Sequence, residues 1–297
     1  MNSITLQLAK ELIEQQFPQW AELYIRPVEF SGIDNRTFHL GEEMLIRLPS
    51  SENYALQAPK EQKWLKVLAP HVSLSIPEPV AMGQPSKHYP WNWSIYKWIN
   101  GKSANMVSIN ELDLQTIAFQ LARFLNKLHK INAEGGPSAG LHNYWRGGHA
   151  AVYDKQTRSS IKKLKNIIDT KTAIAVWERA ISSKWDRSPV WVHGDLASSN
   201  IIVKEGSLTG IIDFGCMGIG DPACDLVIAY TLLRNESRRI FKENLYLDTD
   251  TWARARGWAL WKALITIVSL KDKSSKEAVE QQRVINEILN EYDNILE

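Results

Sequence analysis

The stretch VWVHGDLASSNIIVKEGSLTGIIDFG, Val190 to Gly215, decides the fold. Val190 to Val192, Ile201 to Val203 and Gly210 to Phe214 are β-forming runs, the first two separated by a polar loop. Glu205-Gly206 supplies a turn, so the segment reads as strand, loop, strand, tight turn, strand. Such a meander delivers three oxygen-bearing side chains, Asp195, Asn200 and Asp213, to one rim of a small sheet. Each alone is an ordinary turn residue. In this order, framed by apolar strands, the three form a pattern that turn chemistry does not require.

Phosphoryl transfer from a nucleotide needs a carboxylate near the acceptor hydroxyl and oxygen ligands that hold Mg²⁺ on the phosphates. His193-Gly194-Asp195-Leu196, Asn200, Ile212-Asp213-Phe214-Gly215 and Gly220-Asp221-Pro222-Ala223-Cys224-Asp225-Leu226 together resemble the aminoglycoside phosphotransferase family, relatives of choline kinases and, more distantly, of protein kinases. The resemblance implies that Asp195 takes or orients the acceptor proton and that Asn200 and Asp213 bind the metal. His-Gly-Asp stands where protein kinases carry His-Arg-Asp, which points to small-molecule acceptors and away from control by activation-loop phosphorylation. The implied fold is a bilobal, protein-kinase-like α+β architecture: an N-terminal lobe, residues 1–99, on a small antiparallel sheet, and a mostly helical C-terminal lobe, residues 100–297. The resemblance spans nearly the whole chain, but its specific part is His193 to Leu226.

The remaining composition fits such an enzyme. The chain has 297 residues, 44% hydrophobic and 23% charged, enough for one large domain or two lobes. A formal net charge of +2 gives no electrostatic argument for nucleic acid or an anionic membrane as partner. Cys216 and Cys224 make no disulfide framework, the N-terminus lacks a signal peptide's apolar core, and a cytoplasmic setting is expected. The most apolar tract, Gly257 to Leu270, contains Lys262 and is too short to span a bilayer. It reads as a buried helix. Twelve tryptophans supply large apolar area, most of it for core.

In the first hundred residues, Leu6 to Phe17 is an amphipathic helix ended by Pro18. Two strand-like runs, Tyr24 to Phe30 and Arg36 to Arg47, flank Ser31-Gly32-Ile33-Asp34-Asn35. By itself this is a plain hairpin turn; in the family's architecture it lies over the nucleotide phosphates, which assigns Ser31, Gly32 and Asn35 to phosphate contact. The next strand, Met44 to Pro49, carries Arg47 where the family places a lysine on the α and β phosphates. Arginine keeps the charge but grips through a fork. Glu61, on a helix that Pro59 starts, is its candidate partner; the alternative is a solvated surface charge. Ile76 to Val80 and Ser94 to Ile99 read as further strands, and Asn100-Gly101 as the junction between lobes. The family's backbone contact to the base would fall on Lys97, Trp98 and Ile99.

In the second lobe, Ser108 to Lys130 reads as a long helix with a Ser108/Glu111 capping box and an apolar stripe from Leu114 to Leu128. His129 would complement its dipole as a cation. The glycine-rich loop Gly135 to Gly148 precedes a helix at Tyr153 to Asp169; His142 and His149 lack the ligand spacing of a metal site, and a substrate-facing loop is the better reading. Thr172 to Trp185, Asp250 to Leu270 and Lys276 to Leu296 are further helices. His193 shapes the loop holding Asp195, and Asp221-Pro222 reads as a helix start, with support of that loop as the other role for Asp221.

These readings converge on an ATP- or GTP-dependent, Mg²⁺-requiring small-molecule O-phosphotransferase, a monomer or simple homodimer. An aminoglycoside or similar hydroxylated antibiotic is the first acceptor that the resemblance suggests; a macrolide, an amino alcohol such as choline, or a metabolic sugar are alternatives. A nucleotide-binding pseudoenzyme is the competing class, favoured by Arg47 in place of lysine and opposed by the retained Asp195, Asn200 and Asp213.

Overall fold

Alternation of apolar and polar residues sets the first lobe. The computed structural model describes residues 4–29, 31–32 and 34–296. Helix α1 (Leu6–Gln16) is capped by Thr5, whose hydroxyl accepts the Leu8 N–H at 3.2 Å, and Pro18 turns the chain out of it. β1 (Ile25–Pro27), β2 (Asn35–Leu40) and β3 (Met44–Pro49) follow, then the short α2 (Glu52–Ala55), α3 (Gln57–Leu68), β4 (Pro79–Gly83) and β5 (Trp93–Lys97). The five strands pair antiparallel in the order β1-β2-β3-β5-β4. The strand expected over Tyr24 to Phe30 is confined to β1; Phe30, and Ile33 in the following turn, lie outside the described residues.

The sheet is buried on both faces. Ile46, Trp93 and Ile95 pack with Leu12 and Ile13 of α1, while Tyr96 and Leu45, pointing the opposite way, join Leu65 and Leu68 of α3 in a core continuous with the second lobe. A backbone bond from Ile211 N–H to the Ser75 carbonyl, 2.9 Å, adds a polar tie between the lobes.

The second lobe opens with β6 (Lys102–Ser103) and α4 (Leu114–Leu128). Helix α4 starts later than expected. Ser108 to Glu111 closes a 3₁₀ turn, and the cap is Asp113, whose Oδ1 accepts the Thr116 N–H at 3.0 Å. The bond from Asp113 N–H to the Gly206 carbonyl, a tertiary contact, fixes that start. At the other end, burial pushes the His129 pKa down to about 4, so this residue is neutral and does not serve the dipole as a cation. Helices α5 (Asp154–Lys163) and α6 (Thr170–Ile181) follow. Then come β7 (Val190–Val192), β8 (Ile201–Lys204), β9 (Ser207–Ile211) and β10 (Gly218–Gly220), arranged as the ladders β6-β8-β9 and β7-β10. The third strand of the meander thus ends at Ile211, releasing Asp213 into a turn.

The chain closes with α7 (Ile228–Thr231), α8 (Asn235–Glu243), α9 (Thr249–Ser269) and α10 (Lys276–Leu296). Helix α9 is buried over most of its length. Gly257 allows it to lie against α6: a Cβ there would stand 2.3 Å from the Ala180 Cβ. The architecture is the expected bilobal α+β fold. Among the described residues no helix is long and apolar enough to cross a membrane.

Candidate active site

The loop between β7 and β8 is held by its own backbone. Gly194 has φ +85°, and a Cβ there would lie 2.2 Å from the Cys216 carbonyl oxygen, so only glycine fits. Asp225, fully buried, accepts the N–H groups of His193 and Gly194 at 2.7 Å each. His193 Nδ1 accepts the Asp195 N–H at 3.2 Å, which leaves Nε2 to donate to the Ile212 carbonyl at 3.0 Å. Asn200 Nδ2 donates to the Asp195 carbonyl at 2.9 Å and closes the loop. The N–H groups of His193, Gly194 and Asp195 and the His193 ring are therefore satisfied inside the fold.

The hairpin turn behind this loop has Glu205 and Gly206 both left-handed, φ 51° and 78°, the pattern of a two-residue primed turn. Asp213 follows β9 with φ 64°, a strained conformation for a non-glycine residue, and it points into the cleft between the lobes. That cleft encloses about 600 Å³ and is lined by Asp195, Asn200 and Asp213 on one side and by Ser31, Gly32, Asn35, Arg47, Lys97, Trp98 and Ile99 on the other. A second concavity, about 480 Å³, lies along α10, but Arg283 and Glu287 there are paired with each other and Lys273 is tied to the α9 carbonyls of Ile267 and Val268. It offers no convergent chemistry.

Arg47 joins the lobes electrostatically. Its Nη1 stands 3.2 Å from both Glu61 carboxylate oxygens, and Nη2 donates to Asp213 Oδ1 at 2.8 Å. Tyr96 donates its hydroxyl to Glu61 Oε2 at 2.6 Å. Burial pushes the Arg47 pKa down, but Glu61 and Asp213 outweigh it, and the group stands above the ordinary arginine range. At the turn above, the Ser31 hydroxyl donates to the Asn35 carbonyl at 2.9 Å and accepts the Thr37 N–H at 3.1 Å.

Two sequence expectations need correction. The N–H groups of Lys97 and Trp98 donate to the carbonyls of Glu78 (3.0 Å) and Glu43 (2.7 Å), because the sheet extends to this point. They are therefore not free to bond a base. Asp221 does not hold the loop that carries Asp195: its carboxylate takes the Arg254 Nε at 2.6 Å and caps the Ala223 N–H at 3.0 Å. It ties α9 to the turn after β10, and Asp225 has the supporting role.

Arg146 and Lys262, on the far side of Asp195, belong to no motif in the sequence. Lys262 of α9 places Nζ 2.7 Å from Asp195 Oδ1. Burial pushes the Asp195 carboxyl up; Lys262, with Arg146, more than offsets this and holds it below the ordinary aspartate range. Arg146 stands with its guanidinium 5.1 Å and 4.9 Å from the ring centroids of Trp258 and Trp261. The available signal was a lysine inside the most apolar tract of the chain. Cys216 is close by, but burial pushes its thiol up to about 12, so it is no nucleophile. His142 and His149 are occupied by Lys60 and the Ser138 carbonyl, and by the Ser183 carbonyl and Ala151 N–H.

Comparison with known proteins agrees with this geometry. A model of the phosphotransferase enzyme family matches residues 25–258. An aminoglycoside 3'-phosphotransferase of Escherichia coli is 28% identical over 206 residues, 65% of this chain and 69% of the relative. The structure of APH(2") in complex with GDP and kanamycin superimposes with a TM-score of 0.72 at 20% identity, covering 98% of this chain and 99% of that one. The apoenzyme of a macrolide 2'-phosphotransferase from Brachybacterium faecium does so with a TM-score of 0.60 at 18% identity, covering 95% and 98%. The chain belongs to the phosphotransferase enzyme family.

Proposed function

We propose that this chain transfers the terminal phosphoryl group of ATP or GTP to a hydroxyl of a small molecule, and that the interlobe cleft holds the nucleotide. The observation that carries the reading is the convergence of Asp195, Asn200, Asp213 and Arg47 on that cleft. The nucleotide complexes of the structural relatives support it. The base would sit by Ile99 and the carbonyls of the segment joining residues 1–99 to residues 100–297, and the phosphates under the Ser31 to Asn35 turn.

Asn200 and Asp213 suit Mg²⁺: both present hard oxygen donors to the cleft, and this cation needs few protein ligands when phosphates complete its shell. Bound there, Mg²⁺ would neutralise phosphate charge as it develops. Arg47 would add a fixed positive charge on the phosphate side. Asp195 Oδ1 is committed to Lys262, and among the described residues Oδ2 has only Asn200 Nδ2 at 3.5 Å. Oδ2 is thus left to accept the acceptor hydroxyl. As the acceptor oxygen bonds to the γ-phosphorus, the bond to the bridging oxygen breaks, the nucleoside diphosphate leaves, and the hydroxyl proton passes to Asp195. Held ionised by its cations, Asp195 acts first by orienting the hydroxyl.

The test is nucleotide consumption with Mg²⁺ and ATP or GTP over aminoglycosides, macrolides, amino alcohols and sugars, with Asp195→Asn alongside. Turnover should depend on acceptor and vanish in the variant while nucleotide affinity stays. Nucleotide binding with no turnover across a broad panel, unaffected by Asp213→Ala, would favour a pseudoenzyme.

A further inference from the structure

One face of α3 ties together the two turns that flank the cleft. Gln57, Lys60 and Glu61, at spacing i, i+3, i+4, lie on the same side of this helix. Each meets the segment that begins at Asp213. Glu61 reaches Asp213 through Arg47, Lys60 Nζ donates to the Met217 carbonyl at 3.3 Å, and the Gln57 amide lies against Gly215. A Cβ at Gly215 would stand 2.7 Å from Gln57 Cδ and 2.9 Å from both Oε1 and Nε2. Gly215 does not have a positive φ, so glycine is needed here because of the amide and not because of the backbone.

Gln57 also reaches the turn on the other side of the cleft. Its Oε1 accepts Asn35 Nδ2 at 3.5 Å, and both residues are buried, 4% and 6% exposed. The same amide bears on Asp34. Burial and the neighbouring Asp213 push the Asp34 carboxyl up, and the Tyr54 hydroxyl and the Gln57 amide only partly offset them. The base of this turn is pinned by the Ser50 N–H, which donates to the Asp34 carbonyl at 2.8 Å. Burying a carboxamide is costly unless its polar atoms are bonded, and an apolar side chain would fill the gap between Gly215 and Asn35 without that cost.

We propose that Gln57 is a positioning residue: it fixes the spacing between Asp213 and the Asp34–Asn35 end of the phosphate-side turn, so that phosphates held under the turn meet a cation held by Asp213 and Asn200. This rests on the phosphotransferase reading and adds to it a residue that stands behind the cleft and acts through Gly215 and Asn35. A cation shared by phosphates and Asp213 binds well only when both ends are in register, and the groups supporting its ligands set that register.

The test titrates the β,γ-imido analogues of ATP and GTP calorimetrically, with Mg²⁺ and with EDTA, into wild type, Gln57→Ala, Gly215→Ala and the double variant. The readout is the factor by which Mg²⁺ tightens nucleotide binding. Gln57→Ala should cut this factor about three- to tenfold, the range for one hydrogen bond, with metal-free affinity within about twofold of wild type. Retained metal-free affinity shows that a variant folds; should the alanine variant not fold, Gln57→Leu, which keeps the volume without the amide, takes its place in this comparison. Gly215→Ala should also cut the factor, because its methyl displaces the amide. In the double variant the amide is gone, so Gly215→Ala should add less than about twofold to the loss from Gln57→Ala, the non-additivity of residues in contact. An unchanged Mg²⁺ factor in Gln57→Ala, an equal loss of affinity with and without Mg²⁺, or full additivity of the two substitutions would each overturn the proposal. Absence of nucleotide binding, or of any tightening by Mg²⁺, in the wild type would instead overturn the phosphotransferase reading.

Discussion

Arg47 gives the most quantitative handle on the cleft, because lysine at this strand position is the simpler solution. Its side chain is 13% exposed and that of Glu61 3%. Arg47→Met would leave the Glu61 carboxylate buried with the Tyr96 hydroxyl as its remaining side-chain partner. Removing one member of such a buried pair costs about 3–5 kcal/mol. Arg47→Lys is a different perturbation. The guanidinium puts one nitrogen between the Glu61 oxygens and another on Asp213, whereas an ammonium supplies a single point of charge. It should keep Glu61 and loosen Asp213. Loss of one charged hydrogen bond costs about 1.5–3 kcal/mol, and the value belongs at or below the lower end because solvent screens a group as open as Asp213. Asp213 is 36% exposed. Urea unfolding followed by tryptophan emission should rank wild type above Arg47→Lys above Arg47→Met, with the Met midpoint lower by about 1 M at a slope of a few kcal/mol per molar. Arg47→Lys should retain nucleotide binding. An Arg47→Met protein within about 0.5 kcal/mol of wild type, or a lysine variant as unstable as the methionine one, would refute the forked-bridge argument.

Two further outcomes probe the opposite wall. Lys262→Met removes the main cation that holds Asp195 down and leaves burial's upward push. The acid limb of the turnover–pH profile should therefore move to higher pH. The sign for stability follows: a depressed carboxyl stabilises the fold above its unfolded pKa and loses this as pH falls through the folded value, so the variant should show a weaker fall in stability on acidification. An unshifted acid limb would show that Lys262 does not govern Asp195. At the base of the site, Asp221→Ala leaves Arg254, 2% exposed, without its carboxylate and should cost about 3–5 kcal/mol in a denaturation experiment; a change below about 1 kcal/mol would mean that α9 is anchored otherwise.

The meander was legible because its information is local. β-forming runs, a Glu-Gly turn and three oxygen-bearing residues at fixed offsets specify a rim of side chains within one short segment, and β7, β8 and β9 follow from it. The Arg47–Glu61 pair was reachable from order along the chain once that rim was read. Boundaries were less so: the start of α4 is set at Asp113 by a bond to Gly206, more than ninety residues away. The availability of the Lys97 and Trp98 N–H groups likewise depends on where the sheet stops pairing, which residue types do not encode.

The sequence alone determined the α+β class, the helix and strand sequence that builds the two lobes, and the carboxylates and amide that line one side of the cleft, since propensity, turns and short-range spacing suffice for these. Only the tertiary structure decided what stands opposite Asp195. Lys262 lies 67 residues from it in the chain, and a helix packed through Gly257 against α6 brings it within 2.7 Å. Arg146 reaches the same side of Asp195 from a loop bent through two left-handed residues. Charge balance around a carboxylate depends on which side chains meet in space and which partners have already neutralised them, and that is a property of packing.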